Sequence, residues 1–404
     1  MNIKAIINRY LSNLYSYYTN KNNTRDYSIW IFGEWFGAKC SDNVMCFANY
    51  MASHFEEYTL YWICNEKCNT DLLNKKIKIL KKDSLEAIQV QKIAGVAIMN
   101  QGFDDFASNG NNYLGNAITV NLWHGVMWKK IGFDVYNQKN MLIKLYIETI
   151  KKAKQYKMFL SPSEQYAKIF KKAFRIPNSK PIFAGLPRNE ILYISDEVEM
   201  AKQEIKEKIK LEMGESYSSN IKIITYMPTF RDKMSPSFSF SNLMSDQQFL
   251  KLLEDNNAVI IQKAHEANLR RGEGINSGHF KRLINMQNVQ PQLLLAASDI
   301  LITDYSSCFF DFLITERPII FYIYDYIYYS TKDRGIYFPK EAILCGECPE
   351  NEKALIMSLK NVFENDQYYE KRNQIREKYL TFESKNNCQM IYDAIKKEIE
   401  TYNN

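Results

Sequence analysis

The sequence has no long apolar run. None of its 404 residues sits in a stretch approaching the roughly 20 consecutive apolar residues that span a bilayer, so no transmembrane helix is expected. Met1–Asn20 alternates apolar residues with Lys, Asn and Arg and lacks the unbroken apolar core of a signal peptide. The chain is therefore expected in the cytoplasm, with its eight cysteines as reduced thiols. Charge of one sign is scarce too. A formal net charge of +6 suits a protein that handles phosphates or meets an anionic membrane, but it is too small to argue for nucleic acid. No Asp-x-Asp pair is present to hold a metal against a nucleotide diphosphate, and there is no Gly-rich Walker-type loop. A diphosphate would have to be met by cationic side chains and backbone N–H groups. Cys64 and Cys68 with Cys345 and Cys348 form the one pattern that suggests zinc, but the first pair is spaced more loosely than structural zinc sites prefer. No protein-held metal is expected.

What is present is globular. Hydrophobic residues make up 46% and charged residues 24%, and the length fits two domains of ordinary size. Aromatics reach 14%, with 28 Tyr and 23 Phe, which fits either stacking and interfacial surfaces or a Lys-, Asn- and Ile-rich composition in general.

The N-terminus reads as an amphipathic helix, with Ile3, Ile6, Ile7, Tyr10, Leu11, Leu14 and Tyr18 at helical spacing. Short apolar runs then alternate with helical stretches. Ser28–Phe32, Thr59–Cys64, Ile77–Leu80, Val96–Asn100, Thr119–Trp123 and Met158–Ser161 predict buried strands, with a helix over Asn43–Phe55. After a charged helix over Glu197–Leu211, the pattern restarts at Ile221–Tyr226, Ala258–Gln262, Ile300–Thr303 and Pro318–Tyr322. Strands alternating with helices indicate parallel sheets covered on both faces. The expected fold is α/β, with two Rossmann-like halves: residues 25–190 and 191–375, preceded by the helix in 1–24 and followed by helices in 376–404 that pack back across the domains. Ligands in such sheets bind at the carboxyl ends of strands.

Two of the four histidines stand just after predicted strands: His124 in Asn121-Leu-Trp-His-Gly125 and His265 in Ile261-Gln-Lys-Ala-His-Glu266. A neutral imidazole is the natural general base near pH 7. Gly125 permits a tight turn or a close ligand approach. Each histidine could equally be a hydrogen-bonded structural one. Arg231 follows a strand through Pro228-Thr-Phe, and Ser306 and Ser307 would open a helix whose free N–H groups favour an anion. Taken singly, these serines could be plain helix caps and Arg231 a surface ion pair. Together with two strand-end histidines they point to a bound diphosphate.

Six blocks carry a resemblance. Leu122-Trp-His-Gly125 with Lys129-Lys-Ile-Gly132, Gly185-Leu-Pro-Arg-Asn189, Pro228-Thr-Phe-Arg231, Lys263-Ala-His265, Leu301-Ile-Thr-Asp-Tyr-Ser-Ser307 and Asp333-Arg-Gly-Ile-Tyr-Phe338 follow one another as in the CDP-glycerol glycerophosphotransferases. The resemblance runs from about Ser28 through Phe338 into the C-terminal helices. It implies a GT-B-type fold with two facing Rossmann-like domains, the first on the acceptor and membrane side and the second binding a CDP-polyol donor. It further implies a polyprenyl-diphosphate-linked or glycan acceptor, in teichoic acid or capsule synthesis, and peripheral attachment to the inner face of the membrane. His124 resembles the family's base, with His265 as the second catalytic histidine. The implied substrate-binding positions are Gly125, Lys129, Arg188, Thr229, Arg231, Lys263, Asp304, Ser306, Ser307, Asp311 and Arg334. Any Mg2+ would come with the CDP donor. Val126-Met127 stand where the family usually has Thr-Pro, and Glu266 where it usually has Pro, so these differences bear on the acceptor. Alternatives on the same architecture are a CDP-ribitol donor, a nucleotide-sugar glycosyltransferase, or a non-catalytic binding protein.

Basic amphipathic surfaces would make the attachment: Met1–Tyr18, and Lys139–Lys157, where Met141, Leu142, Leu145, Tyr146 and Ile150 recur among Lys144, Lys151, Lys152 and Lys154.

Overall fold

The computed structural model describes residues 11–12, 15–16, 18–108, 111, 113–135, 156–229, 238–263, 280–333 and 335–403. Arg231, His265 and Arg334 lie outside these residues, as does nearly all of the Lys139–Lys157 segment and most of Met1–Tyr18.

Two compact units share the chain. The first comprises residues 1–124, 132–190 and 382–404, and the second 125–131 and 191–381. The 25–190 block expected from the sequence is thus interrupted by seven residues, Gly125–Ile131, that belong to the second unit. The expected 376–404 block is also divided, because Tyr369–Tyr379 belongs to the second unit and Asn387–Asn403 to the first.

In the first unit the strands are β1 Asp26–Gly33, β2 Thr59–Cys64, β3 Lys78–Lys81, β4 Ala94–Met99, β5 Ile118–Asn121, β6 Met158–Ser161 and β7 Lys180–Phe183. All pair in parallel, in the order β3-β2-β1-β4-β5-β6-β7. Helices α1 Asn43–His54, α2 Leu85–Ile93 and α3 Glu164–Phe174 are crossovers. Asp42, Ser84 and Ser163 cap them by accepting a backbone N–H at the first turn. The central strands are apolar on both faces, as parallel strands covered on both sides must be. Cys388, Ile391, Tyr392 and Ile395 form one stripe of the last helix and pack into the same core as Trp30, Phe47 and Trp62. The Tyr392 ring stacks on Phe55 at 4.0 Å.

The second unit holds β8 Lys222–Met227, β9 Ala258–Gln262, β10 Leu283–Asn285, β11 Ile300–Thr303 and β12 Ile319–Phe321, all parallel, in the order β10-β9-β8-β11-β12. Its strands alternate between two cores. Ile224, Ile260 and Ile302 face one, with Phe240, Phe249 and Leu355; Ile223, Val259 and Ile261 face the other, with Ile205, Ile209 and Leu294. The helices are α4 Ser195–Met213, α5 Gln247–Asp255, α6 Pro291–Ala297, α7 Cys308–Phe312, α8 Glu352–Glu364 and α9 Tyr369–Tyr379.

Both strand orders reverse direction once among the central strands. The reversal lies between β1 and β4 in the first sheet and between β8 and β11 in the second. At such a switch point the two crossovers leave in opposite directions and open a crevice beyond the strands.

Candidate active site

In the first unit the crevice is built from the loops after β1, β4 and β5. The strand expected to reach Trp123 ends at Asn121, because the backbone turns left-handed at Trp123 (φ 52°). Asn121 Oδ1 accepts from Trp123 N at 2.8 Å, and Asn43 Nδ2, at the start of α1, donates to Trp123 O at 3.0 Å. The Trp123 ring is held edge-on by Phe170 and Phe174 of α3. This fixes the position of His124, the next residue. Its half-buried imidazole lies 4.2 Å from the Trp123 ring and 5.3 Å from Trp35, and its Nδ1 is 3.1 Å from the side-chain amide of Gln101. Gly125 follows with φ 145°, a conformation open to glycine and costly for other residues.

The loops that carry Trp35 and Gln101 are held in turn by one carboxylate. Asp105 is fully buried. It accepts from Phe36 N at 2.7 Å, Asn100 N at 3.0 Å, Gln101 N at 2.9 Å and Gly102 N at 3.3 Å. Asn100 Oδ1 adds a bond from Trp35 N at 3.0 Å. These bonds stabilise a left-handed run at Trp35 (φ 49°), Phe36 (φ 60°) and Gly37 (φ 76°), which otherwise costs of order 1–3 kcal/mol per non-glycine residue. Burial pushes the Asp105 carboxyl up to about 6 despite the four N–H donors. Gly102, at φ 129°, is required there because a Cβ would lie 2.8 Å from the Tyr156 hydroxyl.

A second acidic cluster sits at the start of α1. Glu34 is fully buried and accepts from Ser41 N and Asp42 N; burial and the neighbouring Asp42 push its carboxyl well up. Asp42 caps the helix, accepts from Trp35 Nε1 at 3.1 Å and pairs with Arg188 Nη1 at 2.8 Å. With its side chain 13% exposed, Arg188 braces the helix start from within the fold. Two carboxylates therefore occupy the helix N-terminus where a phosphate sits in many Rossmann-like folds.

In the second unit Asp304, buried at the end of β11, joins both strands of the switch point. Its Oδ1 accepts from Thr229 N at 2.8 Å and from Tyr305 N at 2.6 Å, and Thr303 Oγ1 donates to Met227 O at 2.6 Å. Ser306 and Ser307 are half-buried at the mouth of α7. Ser307 stands at the cap position but its hydroxyl makes no capping bond, while Ser306 Oγ accepts from Cys308 N at 3.5 Å. Asp311 is turned inward, accepting from Gln292 Nε2 at 3.2 Å. Lys263 continues from β9 and donates to Gln287 O.

Gly125–Ile131 pairs with the segment that closes the sixth sequence block. Lys129 bridges Ile336 in antiparallel fashion; Lys130 N donates to Gly335 O at 3.0 Å, Tyr337 N to Trp128 O at 2.8 Å and Trp128 Nε1 to Phe338 O at 2.8 Å. Two blocks whose bonded residues Trp128 and Phe338 stand 210 positions apart in sequence are thus one structural element.

Among the described residues no three His, Cys, Asp or Glu side chains are grouped to hold a metal, and no helix is long and apolar enough to cross a membrane. Cys64 and Cys68 lie in the first unit, and Cys345 and Cys348 in the second. The structure brings His124 together with Trp35, Gln101 and Asp105, none of which the sequence singled out. Only their position after β1 and β4, at the reversal in strand order, could have marked them.

The CDP-Glycerol:Poly(glycerophosphate) glycerophosphotransferase family matches the chain over residues 16–397. A teichoic acid glycerol-phosphate transferase of Staphylococcus aureus (strain NCTC 8325 / PS 47) is 28% identical over 374 residues, covering 89% of this chain and 92% of the relative. The teichoic acid ribitol-phosphate polymerase TarL of the same organism is 26% identical over 245 residues, 60% of this chain and 42% of TarL. A solved structure of a variant of the wall teichoic acid polymerase TagF, soaked with CDPG, superposes with a TM-score of 0.74 and 25% identity over 98% of this chain and 94% of that one. The likeness runs through both parallel-sheet units, so the fold is of the expected GT-B type. With a match that spans both switch points and nearly the whole length, the chain belongs to the CDP-glycerol:poly(glycerophosphate) glycerophosphotransferase family.

Proposed function

We propose that this protein transfers glycerol phosphate from CDP-glycerol to a hydroxyl of a lipid-linked or glycan acceptor and releases CMP. The observation that carries the reading is His124, held by three strand-end loops beside the first switch point in a chain of this family. The acceptor oxygen attacks the phosphorus that bears glycerol, its proton passes to His124, and the bond to CMP breaks with the electron pair leaving on CMP. A base so placed contributes about 10²–10⁴-fold. Arg231, His265 and the backbone amides at Ser306 and Ser307 are assigned to the donor phosphates, where preorganised donors act most strongly. Thr229, Asp304 and Lys263, at the ends of β8, β11 and β9, are assigned to the same site. Asp311 and Arg188 act through the fold, by their bonds to Gln292 and Asp42.

The acceptor's lipid character and a peripheral position on the inner membrane face belong to the same proposal. Support comes from Leu11, Tyr15 and Tyr18, helical residues 55%, 73% and 65% exposed at helical spacing.

Donor-dependent release of CMP, measured with CDP-glycerol and CDP-ribitol on a polyprenyl-diphosphate-linked acceptor, tests the reading. Preference for CDP-glycerol is expected. His124→Ala should nearly abolish turnover and leave CDP-glycerol affinity within a few-fold. Release of CDP from a nucleotide sugar would assign the fold to glycosyl transfer, and donor binding lost in step with turnover would make His124 a donor ligand.

A further inference from the structure

Gln101 places its side-chain amide nitrogen, Nε2, 3.1 Å from Nδ1 of His124, with the carbonyl oxygen of the same amide one half-turn away. The amide is carried on a backbone that cannot drift: Gln101 N is bonded to Asp105, which also holds the flanking residues Asn100 and Gly102. Trp35 and Trp123 confine the imidazole from two other loops. Gln101 is therefore placed to decide which nitrogen of the ring carries the proton.

An amide offers N–H and carbonyl oxygen from nearly the same place, so a half-turn of its terminal bond exchanges donor for acceptor without repacking. With the N–H toward Nδ1, the imidazole carries its proton on Nε2. With the oxygen toward Nδ1–H, the lone pair stands on Nε2. Once a proton is taken, both nitrogens carry N–H, and Nδ1–H then requires an acceptor, which the carbonyl end of the amide supplies.

We propose that Gln101 is a positioning residue for the transfer: a half-turn of its amide replaces Nε2 by the carbonyl oxygen, which accepts from Nδ1–H of His124, so that the ring's Nε2 takes the acceptor's proton. The inference rests on the reading of His124 as the base. A neutral amide in this place, where many bases have a carboxylate, orients the imidazole without adding a negative charge beside it. Among the described residues, the charged groups on the elements packed around the ring include Asp105 behind Gln101, Asp42 on Trp35 Nε1 with Glu34 beside it, and Lys39, 5.4 Å from the Trp35 ring.

The experiment compares Gln101→Met and Gln101→Glu in the full chain, following CMP release across pH, with circular dichroism and thermal unfolding as checks of folding. Gln101→Met removes the acceptor and should lower kcat about 10–100-fold, part of what the base supplies, with KM for CDP-glycerol within about threefold. Gln101→Glu keeps the shape and makes the acceptor permanent and anionic. It should retain turnover and move the acid limb of kcat/KM upward by about one pH unit, because a carboxylate stabilises the imidazolium. Wild-type kcat in Gln101→Met, or an acid limb unmoved in an active Gln101→Glu, overturns the inference while leaving the transferase reading intact. Should Gln101→Met fail to fold, the Gln101→Glu profile decides alone; loss of activity in both variants while they remain folded also overturns it. Full activity in His124→Ala would instead remove the reading on which the inference rests.

Discussion

Replacing Asp105 with asparagine sets two large effects against each other. The amide oxygen takes the place of Oδ2 and still accepts from Asn100, Gln101 and Gly102 N, but the new NH2 group then faces the N–H of Phe36. A buried donor left unmet costs ~1–3 kcal/mol, and this is the cost of the one bond lost. Against this stands the cost of the carboxylate itself. Burial raises Asp105 from its ordinary 3.8 to about 6, which means that desolvation outweighs the four N–H donors. Keeping the group ionised at neutral pH then costs about 3 kcal/mol.

The sign follows from the folded value lying above the unfolded one. The wild-type protein gains stability when Asp105 is protonated; that gain is fully present below 3.8 and is lost as pH rises through about 6. Asparagine does not titrate, so the substitution is most harmful near pH 4 and loses about 3 kcal/mol of its effect by pH 7. Hydrogen-exchange mass spectrometry of peptides covering Glu34–Gly37 and Met99–Phe106 reads this locally, which suits a chain of two units that need not unfold together. Between pH 5 and pH 7 the wild-type-to-variant ratio of protection factors should fall about tenfold. A ratio independent of pH would show that the N–H donors balance burial, and a ratio that rises with pH would reverse the argument.

Three further outcomes are expected. Arg188→Met strands Asp42 in a nearly closed site and should destabilise the first unit by ~3–5 kcal/mol in urea unfolding, with CDP-glycerol affinity of the folded protein little changed; unchanged stability with lost donor binding would make Arg188 a ligand. Arg231→Ala and His265→Ala should each weaken donor binding or the chemical step by roughly 2–4 kcal/mol, the scale of one lost donor to a developing charge, and wild-type kinetics in either would take that residue out of the site. The full chain should float with anionic vesicles at low salt, and changing Lys144, Lys151 and Lys154 to Glu should reduce that binding by about 1 kcal/mol per residue; indifference to the vesicles would assign these lysines to an ordinary solvated face.

The strands were legible because parallel sheets impose a simple code. Thr59–Cys64, Met158–Ser161, Ala258–Gln262 and Ile300–Thr303 are strands at the residues where the apolar runs place them. β10 escaped because Leu283–Asn285 is too short to show a period. The stripe Cys388, Ile391, Tyr392, Ile395 marks a helix face that must be buried, but periodicity does not say against what, and its core turned out to be that of the first unit. Likewise Gly125–Ile131 lies inside the block expected as the first domain, although it belongs to the second unit, where Val126, Met127 and Trp128 are buried.

The site divides in the same way. His124 could be found because a strand end and a glycine frame it in the sequence. The resemblance alone marks Arg188 as a substrate-binding position, and the sequence carries no sign of its ion-pair partner, Asp42, 146 positions away. Gln101 and Asp105 carry no motif: one is an ordinary amide and the other an ordinary turn carboxylate until the order β1-β4-β5 brings their loops to one edge of the sheet. Backbone geometry then gives them their roles. A left-handed Trp35 can be kept only if something accepts the neighbouring N–H groups, and a buried carboxylate can be kept only if several N–H groups donate to it. Each feature costs stability alone, and together they hold the imidazole in place. The imidazole to which we assign chemistry in this first unit is therefore conspicuous in the sequence, whereas the residues that hold it are defined by the strand order.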